Sequence, residues 1–314
     1  MAERVATLVL SGGGAKGAFQ IGAERVLREE FGFRWERIFG VSVGALNATL
    51  LAQQEYARLM NLWLNIREED IYRKFSWPII AFRLAVQHKL GFYDDAPLRK
   101  LIEKHATGRP FRVPAHVGRV SLVSGEYELV SSDVPERDFL DAVWHSATMP
   151  VIWEAIGPKA EVDGGLRNVT PLGDALGFKP TEIIVLPCSS PGIDTVKPPA
   201  NILDVAKRSL TDITINEILR NDVSEFVRIN QLVEQAQAAG VTLKKDDGTP
   251  YVHCPITLVE PSKPMGDTLD FSQETIRLRM RHGEDMARAV IQRTGVRPPQ
   301  PAPSLPTPQH PFPA

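Results

Sequence analysis

Residues 40–44 read Gly-Val-Ser-Val-Gly. A serine at this spacing can serve as a nucleophile if the chain turns so sharply that its hydroxyl projects alone into open space. Such a turn strains the serine backbone and leaves its neighbours no room for side chains, a demand that Gly40 and Gly44 meet. The flanks agree: Ile38, Phe39 and Val41 make an apolar strand, while Ala45, Leu46, Ala48, Leu50 and Leu51 suit a helix. The Ser42 hydroxyl would then stand at a helix N-terminus, whose partial positive charge favours developing negative charge. A plain strand-to-helix turn with an incidental serine has the same letters, so partners decide.

Two further stretches could supply them. Ser11-Gly12-Gly13-Gly14-Ala15-Lys16-Gly17 is a glycine loop, and Val162-Asp163-Gly164-Gly165 sets a carboxylate at the start of a tight turn. The loop admits three readings. Gly12-x-Gly14-x-x-Gly17 matches a dinucleotide fingerprint, but the acidic residue due about 20 positions on is missing, and Lys16 is followed by glycine rather than by the Ser or Thr of a phosphate loop. Backbone amides free of side chains could instead form an oxyanion hole, or the glycines could serve tight packing. A serine elbow one unit later favours the oxyanion hole. An Asp-Gly-Gly turn is common as a loop tip, and only its company raises Asp163 above that.

The elements that must hold these residues follow from periodicity. Val5–Leu10 is a buried strand running into the glycine loop. Phe19, Ala23, Val26 and Leu27 recur at helical spacing, with Gly32 as a stop. Strand, glycine loop and helix, then strand, Ser42 and helix, are two βα units, which imply a parallel sheet covered by helices. Further along, Tyr56 to Leu64 is helical, Asp95 opens a helix reaching His105, 117–124 and 127–131 form a hairpin, and 139–147 is helical. A strand is expected at 183–186, one or two long helices over 202–239, a late strand at 252–259, and a closing helix at 272–294 capped by Ser272. From Pro298 on, eight of the last 17 residues are proline, so 298–314 is expected to be an extended or disordered tail outside a domain of residues 1–297. In and just before 75–93, Trp77, Ile80 and Phe82 mix with Arg73, Lys74, Arg83 and Lys89, a blend suited to a bilayer interface; the alternative is a helix packed on the domain with its cations in water.

Composition narrows the class. The chain has 314 residues, 43% hydrophobic and 24% charged, with a formal net charge of -2, so no global charge bias argues for nucleic acid. Cys188 and Cys254 are the sole cysteines, which excludes a disulfide framework and leaves no zinc-type cluster; a reducing, cytoplasmic setting fits, with neither metal nor other cofactor expected. The Val5–Leu10 run is too short for a signal-peptide core, and the apolar stretch 38–54 falls short of a membrane span.

Taken together and in order, the glycine loop, Gly40–Gly44, Ser146-Ala147-Thr148-Met149-Pro150 and Asp163-Gly164-Gly165 resemble the bacterial patatin-like phospholipases over nearly the whole chain to about Gly295. That resemblance implies a three-layer α/β/α fold with a mostly parallel central sheet. It implies a Ser42–Asp163 dyad and an oxyanion hole from Gly12, Gly13 and Gly14, with Lys16, Gly17, Gly40, Gly44, Gly164 and Gly165 in support. The implied substrate is a lipid or other acyl ester, with peripheral membrane contact and no indicated protein partner. Two alternatives stand beside it. A Ser-His-Asp esterase would draw on His145, the histidine nearest these blocks, or on His253 or His282; a catalytically silent lipid-binding protein would keep the fold without the reaction.

Overall fold

The computed structural model describes residues 4–154, 158–193 and 195–294. The expected tail at 298–314 lies outside them. In chain order the elements are β1 (Arg4–Leu10), α1 (Gly17–Glu29), β2 (Phe33–Val41), α2 (Val43–Ala52), α3 (Tyr56–Asn65), α4 (Glu68–Ile71), α5 (Trp77–Ala85) and α6 (Ala96–Ala106). There follow β3 (Ala115–Ser121), β4 (Tyr127–Ser131), α7 (Glu136–Ser146), β5 (Glu161–Asp163), α8 (Leu172–Gly177), β6 (Ile183–Leu186) and α9 (Ile202–Lys207). A π-helical stretch, Arg208–Thr214, leads into α10 (Ile215–Ala238), then β7 (Ile256–Leu258) and α11 (Gln273–Arg293).

Seven strands form one mixed, mostly parallel sheet in the order β4-β3-β2-β1-β6-β7, with β5 pairing β3 from the side. The parallel pairs are β1–β2, β1–β6, β2–β3 and β6–β7; β4 and β5 run antiparallel to β3. Because side chains alternate faces along a strand, β1 and β6 feed two cores. Leu8, Leu10, Ile184 and Leu186 join a large core with residues of α1, α2, α7 and α11, while Val9, Ile183 and Val185 join a smaller one with Leu172, Ala175 and Phe226 from α8 and α10. Helices on both faces make the three-layer α/β/α arrangement, as expected.

The register at β3 positions the site. Along one edge of β3, Val41 of β2 pairs with Gly118, and the next residue, Arg119, pairs with Asp163 of β5. One strand thus arrives parallel and the other antiparallel, and the two meet end to end, bringing Ser42 and Asp163 together across 120 residues of sequence.

Two expectations are corrected. The late strand is only Ile256–Leu258: Pro255 has no N–H to give a ladder, and Asn230 takes up both the N–H and the carbonyl of Cys254. Ile80 is no surface residue. It is 3% exposed and belongs to the large core, whereas Trp77 and Phe82, on other sides of α5, are 48% and 52% exposed.

Candidate active site

Ser42 has φ 57° and ψ −128°, a conformation a non-glycine residue adopts only when its surroundings impose it. The imposition is visible. A side chain on Gly40 would run into the carbonyl of Gly44, and one on Gly44 into the carbonyl of Leu10, so the turn closes only with glycine at both places. The Ser42 N–H, which no helix or strand satisfies, donates to Ser146 Oγ at 3.0 Å.

The same loop holds the other partner. The Asp163 N–H donates to the carbonyl of Thr148 at 2.9 Å, and Asp163 Oδ1 accepts the Gly165 N–H at 2.8 Å. Residues 146–148 therefore bolt the serine and the aspartate into one frame. Thr148 is itself fixed by Asp95, whose Oδ2 accepts from Trp144 Nε1 (2.9 Å) and Thr148 Oγ1 (3.3 Å). These positioning roles of Ser146, Thr148 and Asp95 were not read from sequence; a buried polar residue beside an apolar helix, such as Asp95, was the available signal.

Asp163 is 6% exposed and Ser42 7%. Burial in a poorly solvating site pushes the Asp163 pKa up from 3.8 to about 6, against the pull of hydrogen bonds from the Ser42 hydroxyl and the Gly165 N–H. A carboxylate with this pKa is a competent proton acceptor near neutrality.

The glycine loop faces the pair. Gly12, Gly13 and Gly14 line the same small cleft as Ser42 and Asp163. Their amides are not equivalent, which corrects the expected three-glycine hole. The Gly12 N–H is taken by the carbonyl of Val169 at 3.2 Å, and among the described residues no acceptor stands opposite the N–H of Gly13 or Gly14. Those two residues turn through positive φ (155° and 54°), a path that keeps successive amides accessible. Behind the loop, Gln20 Nε2 donates to the carbonyls of Ser11 and Leu186, and Asn47 links Gln20 Oε1 to Trp63 Nε1, a buried network tying the loop to α2 and α3. Lys16 points its ammonium toward Asp212 (3.8 Å). Gly17 packs against Val43, and Gly164 against the backbone of Gly118.

The histidines stand elsewhere. His145 lies 3.0 Å from the Glu161 carboxylate, and burial together with Arg119 holds its pKa down at about 4; it borders neither cavity that Ser42 lines. His253 is exposed, and His282 packs on Phe19 and accepts from the Ser262 N–H.

From Ser42 an apolar cavity of about 80 Å³ runs beside α2, walled by Leu46, Leu50, Leu59, Trp63, Leu98 and Ile102. His105 and Ala106 also line it, and Gln53 at the end of α2 donates to the Ala106 carbonyl. Its lining follows α2 from Ser42 to Leu50, a helical rise of roughly 12 Å. Among the described residues, no helix is long and apolar enough to cross a membrane.

Residues 8–176 match the model of the family described as patatin-like phospholipase, more than half of the chain. The chain belongs to that family. A curated relative, the uncharacterized protein YqhO of Bacillus subtilis (strain 168), is 26% identical over 193 residues, which is 52% of this chain and 64% of YqhO. Among solved structures, VipD from Legionella pneumophila aligns over 93% of this chain and 67% of its own with 16% identity and a TM-score of 0.42.

Proposed function

We propose that this protein is a serine lipid acyl hydrolase working through a Ser42–Asp163 dyad and an acyl-enzyme. The observation that carries the reading is the conjunction in one cleft of a serine with a strained backbone, a buried carboxylate, and two loop amides that meet no acceptor among the described residues. Ser42 Oγ attacks the ester carbonyl as Asp163 takes its proton; the carbonyl oxygen, now negative, is held by the N–H groups of Gly13 and Gly14. Collapse of the tetrahedral species expels the alcohol, which recovers the proton from Asp163. Water then attacks the acyl-enzyme by the same route and releases the fatty acid.

The apolar tunnel beginning at Ser42 is suited to the acyl chain. Exposed apolar side chains along 77–90, Trp77, Ile79, Phe82, Val86 and Leu90 among them, lie beside exposed Arg73 and Lys74 and fit a bilayer interface. This segment is tied to the site: the Phe92 and Tyr93 N–H groups donate to the carbonyls of Val151 and Ile152, directly after Met149 and Pro150 of the Ser42 cleft. A reducing cytoplasmic setting with peripheral membrane contact is part of the same proposal, as is a single catalytic domain over 1–297.

The test is covalent. An alkyl fluorophosphonate should add one phosphonyl group to the protein, on the peptide containing Ser42, and the Ser42→Ala variant should take up none. Labelling at another residue, or none in the wild type, would overturn the assignment.

A further inference from the structure

The segment that leads into α11 presses on the glycine loop. Thr268 is 2% exposed and lines the Ser42 cleft, and its carbonyl accepts the Ala15 N–H at 2.8 Å. A side chain on Gly14 would run into that same carbonyl, so the two segments touch backbone to backbone. Before Gly14, the Gly13 carbonyl accepts the Lys16 N–H at 3.2 Å. In a trans peptide the N–H lies opposite the C=O, so this bond also directs the Gly14 N–H. The orientation of Gly14 is therefore set from two sides, by its own loop and by Thr268.

No regular structure holds Thr268 in turn, since residues 259–272 contain neither helix nor strand. The segment is folded around one side chain, Arg279 of α11, which is 3% exposed. Its Nε and Nη2 donate to the Met265 carbonyl (3.1 and 2.8 Å), Nη2 also to the Asp267 carbonyl (2.7 Å), and Nη1 to the Asp270 carbonyl (3.0 Å). Three carbonyls that no strand ladder uses share one guanidinium, whose planar fork of donors can reach them all. Among the described residues no carboxylate forms an ion pair with Arg279: Asp267 pairs with Lys207, and Asp270 accepts from the Ser272 N–H and the Thr275 hydroxyl. A buried cation without an anion is costly unless its donors are used, and here they are used on the backbone on both sides of Thr268.

Arg279 is itself firmly placed. A side chain on Gly22 of α1 would run into the carbonyl of its neighbour Met280, and one on Gly283 into the carbonyl of Phe19, so α1 and α11 pack with their backbones in contact. Because α1 starts directly after the glycine loop, the circuit closes: glycine loop, α1, α11, Arg279, Thr268 and back to Gly14. Arg279 and Thr268 both lie beyond the residues 8–176 that match the family model.

We propose that Arg279 is a positioning residue for the oxyanion hole, holding the 265–270 segment so that the Thr268 carbonyl fixes the Gly14 backbone beside Ser42. It borders neither cavity that Ser42 lines, so it acts through Thr268 and not on substrate. The inference rests on the acyl-hydrolase reading. Leu269 and Phe271 of the same segment line the acyl tunnel, so short-chain probes isolate the effect on the oxyanion.

The experiment compares full-length wild type with Arg279→Lys and Arg279→Gln, each checked for folding by thermal unfolding. Lysine keeps the charge, but its donors leave from one nitrogen and cannot follow the fork. On p-nitrophenyl acetate, Arg279→Lys should lower kcat about 100-fold, the lower end of what losing one oxyanion donor costs, with KM within about twofold. The specific readout is a pair of ketones with the same short alkyl chain. Ser42 Oγ adds to the carbonyl carbon of the trifluoromethyl ketone, Asp163 takes the proton, and the carbonyl oxygen becomes an alkoxide in the hole; the methyl ketone binds without adding. The inhibition constant of the trifluoromethyl ketone should rise by the same factor as kcat falls, while that of the methyl ketone stays within about twofold. Arg279→Gln should show the same separation. An equal change for both ketones, or kcat near wild type in a folded Arg279→Lys, would overturn the proposal. So would failure of both variants to fold, which would make Arg279 a stability residue alone. Failure of the acyl-hydrolase reading shows separately, as a wild type that neither turns over the ester nor prefers the trifluoromethyl ketone.

Discussion

Replacing Asp163 with asparagine should make the protein more stable while removing its activity. In the folded protein the Asp163 pKa is about 6 against 3.8 for the free side chain, a difference that corresponds to roughly 3 kcal/mol at 1.36 kcal/mol per pH unit. The folded state holds the proton more tightly than the unfolded one. Stability from this group is therefore greatest below pH 3.8, declines as pH rises through 3.8 to 6, and is flat above. At pH 8 the ionised carboxylate destabilises the fold by that full amount, up to about 3 kcal/mol; at pH 4.5 by only about 1 kcal/mol. Asparagine carries no charge, keeps an oxygen for the Gly165 N–H, and offers an NH₂ that the Ser42 hydroxyl can accept from. Thermal unfolding of wild type and Asp163→Asn at the two pH values measures it. With roughly 2 °C per kcal/mol, the variant should melt about 6 °C higher at pH 8, and the gain should shrink to about 2 °C at pH 4.5. A variant that melts lower than wild type at pH 8, or whose difference from wild type does not change with pH, would refute the claim that burial of this carboxylate is a strain held for function.

Three other outcomes follow from the same geometry. The pH profile of kcat/KM on a soluble ester should fall on its acid side with an apparent pKa near 6, where Asp163 takes up a proton and ceases to be a base; full activity at pH 4.5 would exclude it from that role. Ile102→Trp, which fills the tunnel between Ser42 and His105, should shift the acyl optimum in a p-nitrophenyl ester series to shorter chains with acetyl-ester turnover unchanged; a uniform loss would mean misfolding, and an unmoved optimum another acyl site. The pair Trp77→Ser and Phe82→Ser should weaken binding to anionic vesicles by at least tenfold, since each half-exposed ring contributes about 1 kcal/mol when buried, while soluble-ester turnover stays within twofold; undiminished vesicle binding would remove α5 from the interface.

What could be read from the chain and what could not divide along sequence distance. Gly40 to Gly44 were legible because the elbow's demand for small neighbours is met within five residues, and the structure shows the strained Ser42 backbone that the pattern implies. The βα units were legible because β1 is largely apolar from Val5 to Leu10 and β2 ends in the apolar stretch Ile38 to Val41. Asp163 stood out only by its company, since β5 is three residues long and gains its meaning from meeting β2 end to end against β3, a pairing no local pattern encodes. The unequal glycine amides escaped for the same reason: the Gly12 N–H is taken by Val169, 157 residues away. Ile80 shows the limit of composition. Trp77, Ile80 and Phe82 are alike in hydrophobicity, and only the direction in which α5 packs buries one and exposes the others. The Ser146–Pro150 block could be matched to a family by its letters, but its work is done by one hydroxyl and one carbonyl aimed at two different partners.

The most direct test of the central claim is turnover of p-nitrophenyl butyrate by wild type, Ser42→Ala and His145→Ala, each confirmed folded by circular dichroism. The Ser42–Asp163 account predicts that Ser42→Ala loses at least 10⁴-fold, as expected when a nucleophile is removed, and that His145→Ala stays within a few fold of wild type. Turnover near wild type in Ser42→Ala, or its collapse in His145→Ala with the fold intact, would contradict it.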